Sequence, residues 1–365
     1  MSFLKNTGKA LGDIIPGLGL LTFDDNLGKI FVTSGTGVVG YRVAMSLLEQ
    51  GQKDVRVGVY KGEREVGNGS AAAGNNDFVD NICKVLEAKG AEIVAFDWTK
   101  DESQEMALQG VKTIFCSLPH MDTSIDTFTR FLQKCKHHKV EHFVKLSFLH
   151  NEEYRHQVPF CKFHFQCDDL LEQAPKTSRI SYTILATSHL MTTPLLTQGD
   201  GLTKDHKYVT ASYGMGIDYV SPNDVADAAM VVLLNLKAHR NKVYNLTAKA
   251  PITDREVAKI LSEVYRTNIQ HVELGYHDYV AHLKKQRIPS WLSKDSAAFE
   301  KMKASGIDEN GHNYYKDLEM IIGRKPESFK DYLMNERSQR PGKTFAPKPS
   351  DYETVAAGKK PVEAQ

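Results

Sequence analysis

Three glycines and a short set of serine, lysine, histidine and aspartate side chains carry the chemistry this sequence offers. Gly35, Gly37 and Gly40 fall within KIFVTSGTGVVGYRVAMSLLE, Lys29 to Glu49, at the G-x-G-x-x-G spacing that lets a chain pass close to a pyrophosphate. Before the turn, Ile30, Phe31 and Val32 read as a strand; after it, Val43, Ala44, Leu47 and Leu48 recur at helical spacing. Strand, glycine turn and helix in that order present backbone N–H groups and a helix N-terminus to an anion. Ser34, Gly35, Thr36, Gly37, Val38, Val39 and Gly40 are therefore the candidate cofactor cradle.

The acid–base candidates lie further along. Ser147 ends an apolar strand, where it either meets a ligand or bonds to loop backbone. Lys162 and His164 sit on a helix opened by Pro159, and Asp168, four residues after His164, shares its face. A structural salt bridge is one reading of that pair; the family resemblance set out below implies the other, a histidine that orients a cofactor or donates a proton while Asp168 holds its ring. His189 follows the sixth strand, where the chain enters a substrate region. Cys161, His164 and Cys167 drift around a helix in steps of three and offer only three soft ligands, so no metal site is expected.

Alternating strand and helix patterns position these residues. Strands are predicted at Asp54–Tyr60, Glu92–Asp97, Thr113–Leu118, Glu141–Phe148, Ile180–Leu185 and Val243–Leu246, with helices at Phe78–Lys89, Ser103–Leu108, Ile125–Lys136, Pro159–Gln173, Val225–Leu236 and Arg255–Tyr265, the last capped by Thr253. This order predicts an α/β fold of the Rossmann type: a doubly wound, mainly parallel sheet with a smaller, mostly helical C-terminal substrate region. The division expected is an N-terminal extension over 1–28, a dinucleotide-binding domain over 29–188 to which 216–247 returns, a substrate or partner region over 189–215 and 248–336, and a disordered tail over 337–365. Lys61–Asp77, charged and then rich in Gly, Ser, Ala and Asn, reads as a mobile loop.

Composition narrows the function classes. With 365 residues, 41% hydrophobic, the chain can bury a large core. Its 46 basic and 45 acidic side chains nearly cancel, which removes the electrostatic case for nucleic acid. Five cysteines without a framework suit a reducing compartment, and cytoplasmic location is expected. No apolar run reaches the ~20 residues that span a bilayer. The glycine- and proline-broken apolar stretch over residues 1–21 is expected to pack on the body; membrane contact or partner docking is the alternative.

From about Gly28 to Leu333 the chain resembles the NmrA-like branch of the atypical short-chain dehydrogenase/reductase family. The resemblance rests on VTSGTGVVG, on Ala91 to Asp97 followed by Trp98-Thr99, on GVKTIF at 110–115 and VEHFVKLS at 140–147, and on YTIL at 182–185, DYVSPNDVA at 218–226, KVYNLT at 242–247 and GRKPESF at 323–329. It implies NAD(P) binding by the turn and by Asp97, Trp98, Ser117, Leu118, Pro119 and Lys162. The family's usual G-x-x-G-x-x-G maps to Ser34, Gly37 and Gly40, so Ser34 replaces a glycine and is tolerated at negative φ, with its hydroxyl able to meet a phosphate. Where the family often places a basic residue after strand two stand Tyr60, then Lys61 and Arg64, favouring NADP(H) over NAD(H). The Tyr-x-x-x-Lys pair of ordinary short-chain dehydrogenases is absent, because Tyr154 is followed at the fourth place by Val158.

The resemblance thus implies a protein that presents NADPH to a quinone, aromatic or carbonyl acceptor over Pro119, Ser147 and His164. Two alternatives stand beside it. One is a non-catalytic NADP(H) sensor that binds a protein partner. The other is a structural subunit of a larger assembly with a vestigial cofactor site.

Overall fold

A computed structural model of the chain describes residues 27–60, 76–118, 125–248, 250–285, 290–309 and 315–335. Residues 1–26 of the N-terminal extension, most of the Lys61–Asp77 loop with Lys61 and Arg64, Pro119 and the tail lie outside the described residues. Strand β1 (Lys29–Val32) leads through the glycine turn into α1 (Val38–Glu49). Next come β2 (Val55–Val59), α2 (Asn76–Ala88), β3 (Glu92–Ala95), α3 (Asp101–Leu108), β4 (Val111–Cys116), α4 (Ile125–His137) and β5 (His142–Phe148). A short helix α5 (Glu152–Gln157) precedes α6 (Pro159–Thr177) and β6 (Ser181–Thr187). Beyond them lie β7 (His189–Leu190), α7 (Thr193–Thr203), β8 (Lys207–Thr210), β9 (Gly216–Ile217), β10 (Tyr219–Val220), α8 (Pro222–Leu234), α9 (Leu236–His239) and β11 (Lys242–Leu246). The chain continues through β12 (Ile252–Thr253), α10 (Asp254–Tyr265), β13 (Gln270–Glu273), α11 (Tyr276–Lys285), α12 (Ser290–Ala304), α13 (Tyr315–Ile322) and α14 (Phe329–Asn335).

The main sheet has the order β11-β6-β5-β4-β1-β2-β3, and every pairing in it is parallel. The expected doubly wound sheet and C-terminal helical region are both present. The order reverses between β1 and β4, so the crevice at the carboxyl ends of those strands is where such a fold receives a ligand. Both sheet faces are covered. On one, Val32, Val144 and Leu185 pack with α1 and α8; on the other, Phe31, Ile114 and Phe143 pack with Phe128, Phe131 and Leu171. This two-sided burial explains why the strands read as near-continuous apolar runs.

In the smaller region short strands pair apart from the main sheet: β12 antiparallel to β9, β13 parallel to β8, and β10 parallel to β7. Thr253 caps α10 as its sequence suggests. Its hydroxyl accepts from the Glu256 N–H while the Glu256 carboxylate accepts from the Thr253 N–H, a reciprocal capping box. Helix α6 outruns the Gln173 expected from spacing and ends at Thr177, two residues after Pro175, which has no N–H to donate to the carbonyl one turn back. Among the described residues no helix is long and apolar enough to cross a membrane.

Candidate functional site

The glycine turn is shaped by close approach. None of Gly35, Gly37 and Gly40 has positive φ, and neither does Ser34. A Cβ on Gly35 would lie 2.0 Å from Val57 Cγ1, and one on Gly40 would lie 1.9 Å from the Ser34 carbonyl oxygen. Those two glycines are fixed by the fold itself. Gly37 differs: its nearest conflict is the Ser34 oxygen at 3.3 Å. It is the N-cap of α1, with no side-chain cap bond and no acidic residue in the first turn. The open helix N-terminus, half-exposed Thr36, Gly37 and Val38, and the space above Gly37 fit a pyrophosphate. One expected contact is corrected. The Ser34 hydroxyl donates to the Ser117 carbonyl at 2.8 Å, so its proton ties β1 to the end of β4 and is not offered to a phosphate.

Two further cofactor candidates are placed by the fold. Trp98 is 3% exposed and its ring packs edge-on against Phe96 and Phe131, with centroids 5.1 and 4.8 Å away. That ring belongs to the core and not to a ligand cleft. Asp97 accepts from the Thr99 N–H and hydroxyl at 2.8 and 2.7 Å, closing the turn after β3. Tyr60, Ser117 and Leu118 stand just beyond the carboxyl ends of β2 and β4, on the same sheet edge as the glycine turn.

The second half of the site is a buried polar cluster between β5 and α6. Lys145 and Ser147 lie two apart on β5 and so face the same side, towards α6. Lys145, fully buried, reaches Asp168 Oδ1 at 2.7 Å. Its ammonium also donates to Ser147 Oγ at 3.1 Å and lies 3.2 Å from His164 Nδ1. Ser147 in turn donates to Asp168 Oδ2 through a short hydrogen bond, and His150 Nε2 lies 3.0 Å from that same oxygen. Burial alone would raise the Asp168 carboxyl, but the Lys145 ammonium, helped by His150, overrides it and holds the group at about 2. Because an ammonium only donates, His164 Nδ1 must accept, which leaves a neutral imidazole with its proton on Nε2.

The structure brings Ser147, His164 and Asp168 into one cluster and leaves Lys162 outside it. Lys162 is exposed on the outer face of α6, while Cys161, His164, Phe165 and Asp168 face inward. The lysine of the cluster is Lys145. Its signal was present: a lone charge inside HFVKLSF, a strand otherwise buried on both faces, has to find a partner. Asp168 was expected to hold the His164 ring; its contacts go instead to Lys145, Ser147 and His150, and Lys145 bridges to His164. His150 had no signal beyond its place after a strand.

His189 is also corrected. It is 7% exposed, among the rings of Phe148, Tyr154, Tyr219 and Phe299. Burial, followed by the nearby Lys303 charge, keeps its imidazole far below the ordinary histidine range, so it is a neutral packing group. Helix α12 covers this end of the sheet: Phe299 stacks over Phe148 with centroids 5.3 Å apart, and Asp295 accepts the Phe160 N–H at 3.1 Å. The Phe160 ring then lies 4.4 Å from His164. Among the described residues no group of three or more His, Cys, Asp or Glu side chains is arranged to hold a metal ion.

The sequence model of the NmrA-like family matches residues 27–333, the whole of both regions. The chain belongs to the NmrA-like family. Prestalk A differentiation protein A of Dictyostelium discoideum is 24% identical over 86% of this chain and 94% of its own. Agroclavine dehydrogenase of Claviceps fusiformis is 27% identical over 44% of this NmrA-like chain and 55% of its own. Among solved structures, Citrobacter sp. triphenylmethane reductase complexed with NADP(H) superposes with a TM-score of 0.67 at 24% identity, covering 84% of this chain and 99% of the reductase. The NADPH-dependent quinone oxidoreductase of Escherichia coli complexed with NADPH gives 0.68 at 19% identity, with the same coverage. These likenesses establish the fold, which the chain shares with the two reductases.

Proposed function

We propose that this NmrA-like protein binds NADP(H) in the cradle formed by Ser34 to Gly40 and reduces a quinone, aromatic or carbonyl acceptor. The observation that carries the reading is the lysine–aspartate–serine cluster at the end of β5, beside the sheet edge that holds the glycine turn. NADPH supplies the hydride when bound. The residues supply the proton and the placement. Ser147 Oγ–H is delivered to the oxygen of the reduced acceptor, and a Lys145 Nζ proton passes to Ser147 Oγ as it leaves. His164, accepting from Lys145, orients that ammonium, and Asp168 holds it in place. The arrangement does the work of the missing tyrosine–lysine pair with a serine and a lysine from one strand.

The cofactor half is tested by Gly37→Ala. With its nearest conflict at 3.3 Å, the variant is expected to melt close to wild type yet lose NADPH binding, because its Cβ fills the cradle. Lys61→Ala with Arg64→Ala is expected to erase a preference for NADPH over NADH and spare NADH affinity. The chemical half is tested by single-turnover oxidation of bound NADPH against a panel of quinones and carbonyls. Ser147→Ala and Lys145→Met are expected to cut the rate by ~100-fold or more at unchanged NADPH affinity. Losses no larger than the fall in folded fraction would overturn the assignment.

A second reading is favoured by one observation, the covering of Phe148 and His189 by Phe299 and Met302 of α12. In it the protein is an NADP(H) sensor whose occupancy sets affinity for a protein partner. It expects no acceptor in the panel to be reduced, with NADPH altering partner pull-down.

A further inference from the structure

The buried cluster needs a way to regain protons, and its geometry provides one. Lys145 and Asp168 have side-chain exposures of 0% and 2%, whereas His150, in contact with the same carboxylate, keeps 27%. His150 lies on the loop between β5 and α5 and is held from two sides. Its N–H donates to Asn245 Oδ1 at 3.3 Å, and its ring stands edge-on to Phe165, centroids 5.0 Å apart. So fixed, Nε2 points inward to Asp168 Oδ2 at 3.0 Å, the oxygen that also accepts from Ser147, whose Oγ lies 3.1 Å from Lys145 Nζ. The atoms His150 Nε2, Asp168 Oδ2, Ser147 Oγ and Lys145 Nζ form a continuous file from the surface to the buried amine. The charged groups facing the histidine are Asp168 and, behind it, Lys145. Arg155 of α5, over the Phe165 ring at 5.3 Å, is tied to Glu152 and Asp169.

We infer that His150 is the proton port of this cluster, a relay that recharges Lys145 from water. The step balances without a further reagent. After Lys145 has given up a proton through Ser147, it is a neutral amine. A proton taken from water at His150 Nδ1 makes an imidazolium, which releases its Nε2 proton to Asp168 Oδ2. That oxygen passes the proton to Ser147 Oγ as the serine's own proton goes to Lys145 Nζ. Aspartate and serine return to their starting states, the histidine is left with its proton on Nδ1 until a flip of the ring turns an N–H back to Asp168, and one proton has entered for each one spent. The use of the port in turnover rests on the proposed reduction; the port itself does not.

Two measurements on the full chain separate these. The first needs no acceptor: exchange of the Lys145 Nζ protons with water, followed by 15N NMR on lysine-labelled protein, in wild type and His150→Gln. The glutamine keeps a hydrogen bond to Asp168 but cannot relay a proton. Exchange is expected to slow ~100-fold with the melting temperature preserved, the scale of a positioned proton-transfer group. An unchanged exchange rate overturns the port, whatever the protein's activity. The second is multiple-turnover NADPH oxidation by His150→Ala with and without added imidazole. Loss of turnover restored by imidazole supports the port, and a loss that imidazole leaves untouched overturns it in favour of a packing role. If wild type reduces no acceptor, the proposed reaction fails while the exchange measurement still decides the role of His150.

Discussion

Two buried lysine–carboxylate pairs, each 2.7 Å apart, occupy the two regions of this protein and are built differently. Lys145 and Asp168 come from a strand and a helix, and the pair is extended by Ser147, His164 and the half-exposed His150. Lys303 and Glu300 lie one turn apart on α12. Glu300 accepts the Ala211 N–H at 2.7 Å, and nearby the Tyr208 hydroxyl donates to Asp254 at 2.8 Å. In the α12 pair, burial pushes the Glu300 carboxyl up against the pull of Lys303. A histidine that feels the Lys303 charge, His189, is itself sealed in rings. Burial alone therefore does not set the two lysines apart. What distinguishes the Lys145 pair is a hydroxyl and an imidazole within proton-transfer distance and a contact that leads to water. The Lys303 pair anchors α12 to the segment after β8.

The largest expected effect comes from removing one partner of each pair. Asp168→Ala and Glu300→Ala should each cost ~3–5 kcal/mol, because each strands a buried ammonium. Denaturant midpoints measure this, and the comparison sharpens if NADPH oxidation per folded molecule collapses only in Asp168→Ala. An equal collapse in Glu300→Ala would break it. A smaller effect follows from replacing both partners by apolar groups. Lys145→Met with Asp168→Leu should regain most of the stability lost by either single change, since no buried charge is left alone, while turnover stays lost. Recovery of turnover with stability would reduce the Lys145 pair to an architectural one.

The smallest effect is a contrast in pH dependence. Asp168 is held at about 2, below the ordinary value of about 3.9. Its folded value is depressed, so its stabilisation is present above about 3.9 and is lost as pH falls towards about 2. Asp218, just before β10, is pushed up to about 7 by burial and then by Asp308. Its folded value is raised, so its contribution is full below about 3.9 and is lost as pH rises through about 7. Urea midpoints at pH 5 and pH 8 should show Asp218→Asn gaining on wild type at the higher pH, whereas Asp168, ionised throughout that window, contributes no such change. A parallel pair of profiles would remove Asp218 from the balance.

The cofactor half of the molecule was legible in the chain because its information is local. Strand, turn and helix are contiguous from Lys29 to Glu49, and the strands that follow announce burial on both faces by their apolar runs. Even there, the reason for two of the glycines is tertiary. Gly35 yields to Val57 of the neighbouring strand, and Gly40 to the Ser34 carbonyl across the turn. The acid–base half was legible only in pieces. Ser147 could be named because it ends a strand, and His164 with Asp168 because helical spacing aligns them. Lys162 was an error that spacing alone could not expose, since which face of α6 meets the sheet is set by Cys161, Phe165, Cys167 and Leu171 packing inward. Lys145, Asp168 and His150 meet because the parallel register of β5 lays one side of that strand beneath α6 and the following loop folds back over it. Sequence by itself determined the fold and the place of the glycine turn, for which periodicity and adjacency suffice. The tertiary structure decided which lysine is buried and what it touches, because only packing takes a charge out of water and so dictates its partners.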